Sequence, residues 1–243
     1  MLNSLINAAK ISAKVEYLPQ VDSTQKALLA RDPSQLQSGL TLITDHQTAG
    51  IGRLGRTWES QPGDSVLMSY VFHTDSRLLP LFVGNAVAEA LNKYFSSIKL
   101  KWPNDVVVEL DGVTRKLGGI VLQRHEKDPN IVVAGIGINL KFSSSRPTQD
   151  AISLSELVEK LPDVNQLIFE IIQQLNSQIS NVIELYKRCC STIGKDVVVH
   201  MLNASDVVGR AVDISSTGGL IIETTNGKVE VQTGDVQHLR TSE

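Results

Sequence analysis

The chain has 243 residues, 42% hydrophobic and 20% charged, which is ordinary globular composition. That length suits one large domain, or one medium domain with a small appendage, and gives core enough to fold without disulfide staples. A formal net charge of −3 removes the general electrostatic case for binding nucleic acid.

The N-terminus, Met1 to Leu5, lacks the basic start and apolar run of a signal peptide, and no apolar stretch is long enough for a bilayer. A cytoplasmic enzyme or binding protein is the default. Asp22, Ser23 or Thr24 can cap a helix that runs to Ala30. Residues 40–44 form a strand pattern, and Val66–Phe72 is an apolar, β-prone run suited to a buried strand. Val83, Ala86, Val87, Ala90, Leu91 and Tyr94 make one apolar stripe of a helix over 81–95. Strands are expected at 98–101 and 106–110, broken by Trp102-Pro103-Asn104-Asp105, because Pro103 has no N–H to donate. Two more apolar strands follow at 117–124 and 131–140.

From Leu167 through Ile168, Ile171, Ile172, Leu175, Ile179, Val182 and Ile183 to Tyr186 the 3,4 spacing predicts one helix of about five turns, with Asn165 as its cap. Cys189 and Cys190 are adjacent, which disfavours a disulfide, and no second pair completes a zinc site; reduced thiols are expected. The texture then changes. From Gly194, short β-rich runs (Val197–Met201, Arg210–Ile214, Leu220–Thr224, Val229–Thr233) alternate with turns, Asn226-Gly227 being a hairpin signal. A small β-barrel-like module over 194–243 follows from this pattern, after a first domain over 1–191.

Gly50-Ile51-Gly52-Arg53-Leu54-Gly55 matches the glycine pattern of a dinucleotide site. That site needs a helix opening at the third glycine. Here Gly55 is followed by Arg-Thr-Trp-Glu-Ser-Gln-Pro-Gly and then a strand, so the context fails. What remains is a flexible loop with two arginines, Arg53 and Arg56, whose forked donors suit phosphate. A solvated basic turn explains the loop equally well when it is taken alone.

Further segments change that balance: Gln47 before the loop, Trp58 after it, then Lys101-Trp102-Pro103-Asn104-Asp105, Arg115-Lys116-Leu117-Gly118-Gly119-Ile120 and Gly135-Ile136-Gly137-Ile138-Asn139-Leu140. In this order and spacing the set resembles the biotin protein ligase family, from about Asp22 to the end of the chain. The resemblance implies a fold of the α/β class (α+β type): a mixed-sheet catalytic domain with packed helices over 1–191 and an SH3-like β-barrel over 194–243. It also implies a ligase without the N-terminal DNA-binding domain of some members, hence without a repressor function.

The resemblance further implies site roles. Ser23, Thr24 and Gln47 would hydrogen-bond the ureido ring of biotin, whose two N–H groups and one carbonyl suit hydroxyls and an amide. Capping alone also explains Ser23 and Thr24. Gly50, Ile51, Arg53, Lys116 and Gly119 would complete the biotin site. Arg53, Arg56, Trp58, Lys116 and Asn139 would hold ATP, with Trp58 stacked on adenine; core packing is the plain alternative for the indole. Lys116, Arg53 and Asp105 would be catalytic, with Lys116 between the biotin carboxylate and the α-phosphate and Asp105 near the acceptor lysine. The ordinary readings are a solvated charge for Lys116 and a turn residue for Asp105.

Mg²⁺ would arrive with ATP, with no dedicated metal site, and the partner would be a biotin carboxyl carrier protein. Neither nucleic acid nor membrane is expected as a partner. The oligomeric state stays open, a homodimer included. Two departures stand out: Ile51 occupies the family's first loop arginine position, and Gln25 replaces the usual Asn. A lipoate–protein ligase, a non-catalytic biotin sensor and a nucleotide-binding adaptor are the rival readings.

Overall fold

The computed structural model describes residues 2–178, 180–201 and 204–239. In chain order the elements are α1 (Leu2–Ala8), β1 (Lys14–Val21), α2 (Thr24–Leu29), β2 (Leu40–Gln47), β3 (Gly50–Ile51), β4 (Thr57–Trp58), β5 (Ser65–His73) and α3 (Leu79–Asn92). There follow β6 (Ile98–Lys101), β7 (Asp105–Leu110), β8 (Val113–Arg124), β9 (Ile131–Asn139), α4 (Val164–Leu175) and α5 (Val182–Cys189). The last five are β10 (Asp196–His200), β11 (Val207–Ile214), β12 (Leu220–Thr224), β13 (Gly227–Val231) and β14 (Asp235–His238).

A seven-stranded sheet runs in the order β1-β2-β5-β9-β8-β7-β6. The β1–β2 pair is parallel and the other pairs are antiparallel, so the sheet is mixed, as expected. One face buries Val66, Met68, Ile120, Ile136 and Ile138 in the main core with α3 and α4. Alternation puts Leu67, Ser69, Gly119, Gly135, Gly137 and Asn139 on the opposite face. That second face is closed at one end by α2, where Leu28 packs with Leu36, Leu40, Leu42, Val71, Ile131 and Val133. The glycine-bearing part of this face lies outside that cluster.

The C-terminal module is a five-stranded antiparallel sheet ordered β13-β12-β11-β10-β14. It is tied to the larger sheet at the Trp102–Asn104 turn. Trp102 is buried; its backbone N donates to Thr192 Oγ1 at 3.1 Å and its Nε1 to Gly218 O at 3.1 Å. Ser191 N also donates to Leu100 O at 2.8 Å.

Several expectations need correction. The single helix over 167–186 is two, α4 and α5. Ser177 turns its hydroxyl onto Gln174 O at 2.7 Å, and Asn181 adopts φ 49°, the left-handed region that Asn tolerates. The 3,4 spacing is shared by two helices packing on one core; Ile179 lies outside the described residues. The cap of α4 is Asp163, which accepts from Gln166 N at 3.0 Å, and not Asn165, which lies inside the helix. In the β12–β13 hairpin Thr224 pairs with Gly227, so the turn is Thr225-Asn226, one residue earlier than expected, and β13 ends at Val231. The strands β1 and β14 and the helix α1 are not announced by the sequence pattern. Proline at position 19 and mostly exposed side chains hide β1, an edge strand.

Candidate functional site

Two cavities meet on the glycine-bearing face. The smaller, about 50 Å³, has room for a few waters and lies between α2 and strands β5, β8 and β9. Its polar end is a linked set. Thr24 donates to Gln47 Oε1 from its backbone N at 2.8 Å and from Oγ1 at 3.1 Å, and Thr24 Oγ1 lies 2.8 Å from Ser69 Oγ. Ser69 Oγ donates to Gln25 Oε1 at 3.3 Å, and Gln25 Nε2 donates to Val133 O at 2.9 Å. Ser23 both caps α2, accepting from Lys26 N, and lines this cavity, so capping and site roles coexist. Gly135 leaves room for the Gln25 amide: a Cβ there would lie 2.7 Å from Gln25 Oε1. Ile51 contributes an apolar wall.

The indole of Trp58 rests on a glycine floor. A Cβ on Gly137 would stand 2.7 Å from Trp58 Cε2, and one on Gly119 would stand 3.2 Å from Cζ3. Trp58 Nε1 is buried without a hydrogen-bond partner among the described residues. Gly50 pairs with Trp58 across the β3–β4 hairpin, where a Cβ would lie 2.5 Å from Trp58 O. Between these strands Leu54 and Gly55 both take positive φ (57° and 74°), which folds the tip tightly and brings Gly52 N to 2.7 Å from Arg56 O.

The larger cavity, about 1160 Å³, lies between this hairpin, β7, β8 and the C-terminal module. A register shift makes its chemistry. Val106 pairs with Gly118 but Val107 with Lys116, so Leu117 is an extra residue in β8. Strict alternation would put Lys116 beside Gly118; the bulge instead puts it on the same face as Gly119 and Asp105. Lys116 Nζ meets Asp105 Oδ1 at 2.7 Å. Arg53 Nη1 donates to Asn104 Oδ1 at 2.8 Å and Gly234 O at 3.3 Å, and Nη2 to Thr233 Oγ1 at 3.3 Å. Arg56 pairs with Asp235. Asn139 is buried, with Nδ2 donating to Ile152 O at 3.1 Å, and it lines the large cavity.

Desolvation lowers the pKa of Arg53 and of Lys101, with Asp105 opposing it in both cases. Burial, reinforced by Lys101 and Lys195, pushes His238 down to about 4, so its ring is neutral at pH 7. Gly52, Arg53, Trp58, Asn104 and Lys116 line both cavities and form the junction between them.

Every site residue expected from the sequence falls on one of these cavities or, for Gly50, on the hairpin between them. Three features differ from expectation in setting: Lys116 is in an ion pair, Arg56 is held by Asp235 of β14, and the indole lies on Gly119 and Gly137. The sequence reading does not single out Gln25, Ser69, Lys101, Asp235 or His238 as lining residues. Ser69 sits inside an apolar strand, where a hydroxyl on the non-core face was the available signal.

A model of the biotin/lipoate A/B protein ligase family matches residues 17–141, and a model of the biotin protein ligase C-terminal domain matches 192–239. The chain is 32% identical to the biotin–[acetyl-CoA-carboxylase] ligase of Mycobacterium tuberculosis over 98% of this chain and 94% of that protein. It is 28% identical to the bifunctional ligase/repressor BirA of Escherichia coli over 98% and 79% of the two chains. Its fold matches a biotin protein ligase from Aquifex aeolicus in complex with biotin and ATP, with a TM-score of 0.78, 26% identity, and coverage of 94% of this chain and 99% of that one. The class defined is that of ATP-dependent ligases acting on protein. The chain belongs to the biotin/lipoate A/B protein ligase family, and biotin–protein ligation is its activity.

Proposed function

We propose that the small cavity takes the ureido end of biotin, the large cavity takes ATP, and the junction is where they react. The observation that carries this reading is the junction itself: two cations, Arg53 and Lys116, line both a polar-ended pocket and a larger cleft. In the first step a biotin carboxylate oxygen attacks the α-phosphorus, a P–O bond forms, and the bond to pyrophosphate breaks. In the second, the neutral amine of a carrier lysine attacks the acyl carbon, the C–O bond to AMP breaks, and one proton leaves the nitrogen.

The chain's own residues supply position and charge. Thr24, Gln47, Ser23 and Ser69 offer oxygens and an amide to the ureido group, a match that the apolar ring of lipoate lacks. Lys116 and Arg53 offset the repulsion between carboxylate and phosphate. Arg56 and Asn139 border the nucleotide, with Mg²⁺ brought by ATP. Asp105 faces the acceptor, a biotin carboxyl carrier domain. Residues 1–191 form the catalytic domain and 194–243 the β-module. Incubation with Mg-ATP, a carrier domain, and either biotin or lipoate, followed by intact mass, tests the reading. A carrier gaining the biotinyl mass alone is expected; a lipoyl adduct, or none, would overturn it.

The unpartnered Trp58 Nε1 and the glycine floor suit an indole that shifts to meet adenine. Trp58→Ala is expected to weaken ATP binding more than biotin binding, by about 1–3 kcal/mol for the lost stacking. Calorimetry with each ligand checks this, and equal losses would point to packing.

A cavity of about 50 Å³ does not admit a bicyclic ligand unless Ile51 and Trp58 move. One anchor of the hairpin carrying them is the Arg56–Asp235 pair, a surface ion pair that contributes only about 0–1 kcal/mol. Hydrogen exchange over residues 47–58 is therefore expected to slow on adding biotin and Mg-ATP, because ligand contacts offset the entropy of ordering. Unchanged exchange would mean a preformed loop.

A further inference from the structure

Arg53 is held by three oxygens, and none of them carries a charge: Asn104 Oδ1, Gly234 O and Thr233 Oγ1. Arg56, three residues on, is instead paired with the Asp235 carboxylate. The carboxylates whose fields reach Arg53, Asp105 and Asp235, are already engaged by Lys116 and Arg56. Asn104 has little freedom to do otherwise. Its Nδ2 donates to Ile120 O at 3.1 Å, its backbone O accepts from Ile120 N at 3.0 Å, and its backbone N donates to Lys101 O at 3.1 Å. With both ends of the peptide and the amide nitrogen pinned, Oδ1 presents in one direction, toward the guanidinium.

The chemistry of the acceptor matters here. A carboxylate in place of the amide would orient the guanidinium and also cancel much of its field, since opposite charges at contact distance attract strongly in a partly desolvated site. An amide, a carbonyl and a hydroxyl orient it with dipoles only. We propose that Asn104, with the Thr233–Gly234 turn, is a positioning residue for the adenylation step: an uncharged cradle that fixes Arg53 at the junction and leaves its charge for the polyphosphate. This deepens, and rests on, the reading of the junction as the place where biotin is adenylated. It also gives the C-terminal module a part in the chemistry, through the turn between β13 and β14.

A double-mutant cycle tests the cradle, with biotin-dependent pyrophosphate release and biotin affinity measured on the full chain. Asn104→Ala is expected to lower kcat for biotinyl-AMP formation about tenfold, the scale of one lost charge-assisted hydrogen bond, with a smaller loss of biotin affinity. In an Arg53→Ala background the same change is expected to do nothing further. Asn104→Asp keeps an oxygen facing Arg53 and is expected to lower kcat at least as far. Asn104→Ser, which leaves a hydroxyl at the turn but is one bond too short to reach Arg53, runs the same cycle if the alanine variant melts early.

Multiplicative losses in the two backgrounds, or a wild-type rate in Asn104→Asp, would overturn the proposal while leaving the adenylation reading intact. A wild-type chain that releases no pyrophosphate with biotin and Mg-ATP overturns the adenylation reading, and this proposal with it.

Discussion

Alanine at Lys116 is expected to slow biotinyl-AMP formation by about two to three decades, the usual scale for removing one fixed charge from a developing anionic centre. The expectation rests on where the bulge at Leu117 puts the side chain. Lys116 lines both cavities, and its Nζ and Cε would lie 3.5 Å from a Cβ on Gly119, over the floor of the site. A carboxylate and a phosphate brought to bonding distance repel each other, and a cation fixed between them removes that term in the transition state. The fold should survive the change. The Lys116 side chain is 38% exposed, and its ion pair with Asp105 is of the partly exposed kind that contributes about 0–1 kcal/mol. Pyrophosphate release by a folded variant within threefold of wild type would sink the role.

The bulge also marks where the sequence stops being legible. Alternation identifies the strands on either side, 106–110 and 117–124, but it assigns Lys116 and Gly118 to one face and Gly119 to the other. One extra residue reverses that, and nothing in Arg115–Ile120 announces it. Elsewhere, legibility follows the range of the interaction. The α2 cap at Ser23, the apolar stripe of α3 and the strands of the large sheet other than β1 are local patterns and stand where the sequence puts them. The break in the 167–186 helix is local too, yet Asn176, Ser177 and Asn181 interrupt a spacing that both helices keep because both face one core.

The site divides in the same way. The residues of the recognised segments converge on the two cavities. Their partners come from remote parts of the chain: Ser69 from the middle of an apolar strand, Gln25 through Val133, and Asp235, Thr233 and Gly234 from the end of the C-terminal sheet. A polar residue of this kind has no distinguishing neighbours in sequence. Its function is set by which strand lies next to it, and the sheet order β2-β5-β9-β8-β7 is a product of the whole fold.

Asp105→Asn is expected to leave biotinyl-AMP formation nearly normal and to slow transfer to the carrier by about two decades, within the range for a positioned general base. Asp105 lines only the large cavity, whereas its partner Lys116 reaches both, so the carboxylate is on the open side of the junction. A phosphate taking over Lys116 would release Asp105 from its ion pair and leave it facing the acceptor. The acceptor lysine arrives as an ammonium, its ordinary pKa being about 10.4, and only the neutral amine attacks. A carboxylate at that place orients the ammonium and relays its proton. Without it, transfer depends on the amine that is neutral in solution, a fraction that rises about tenfold per pH unit below that pKa. The variant's deficit should therefore shrink steadily as pH is raised from 7 toward 10, and wild-type transfer should rise less steeply. Single-turnover transfer from preformed biotinyl-AMP, measured beside pyrophosphate release, separates the two steps. If pyrophosphate release falls as far as transfer does, Asp105 acts in the first step, through its hold on Lys116, and not on the carrier's lysine.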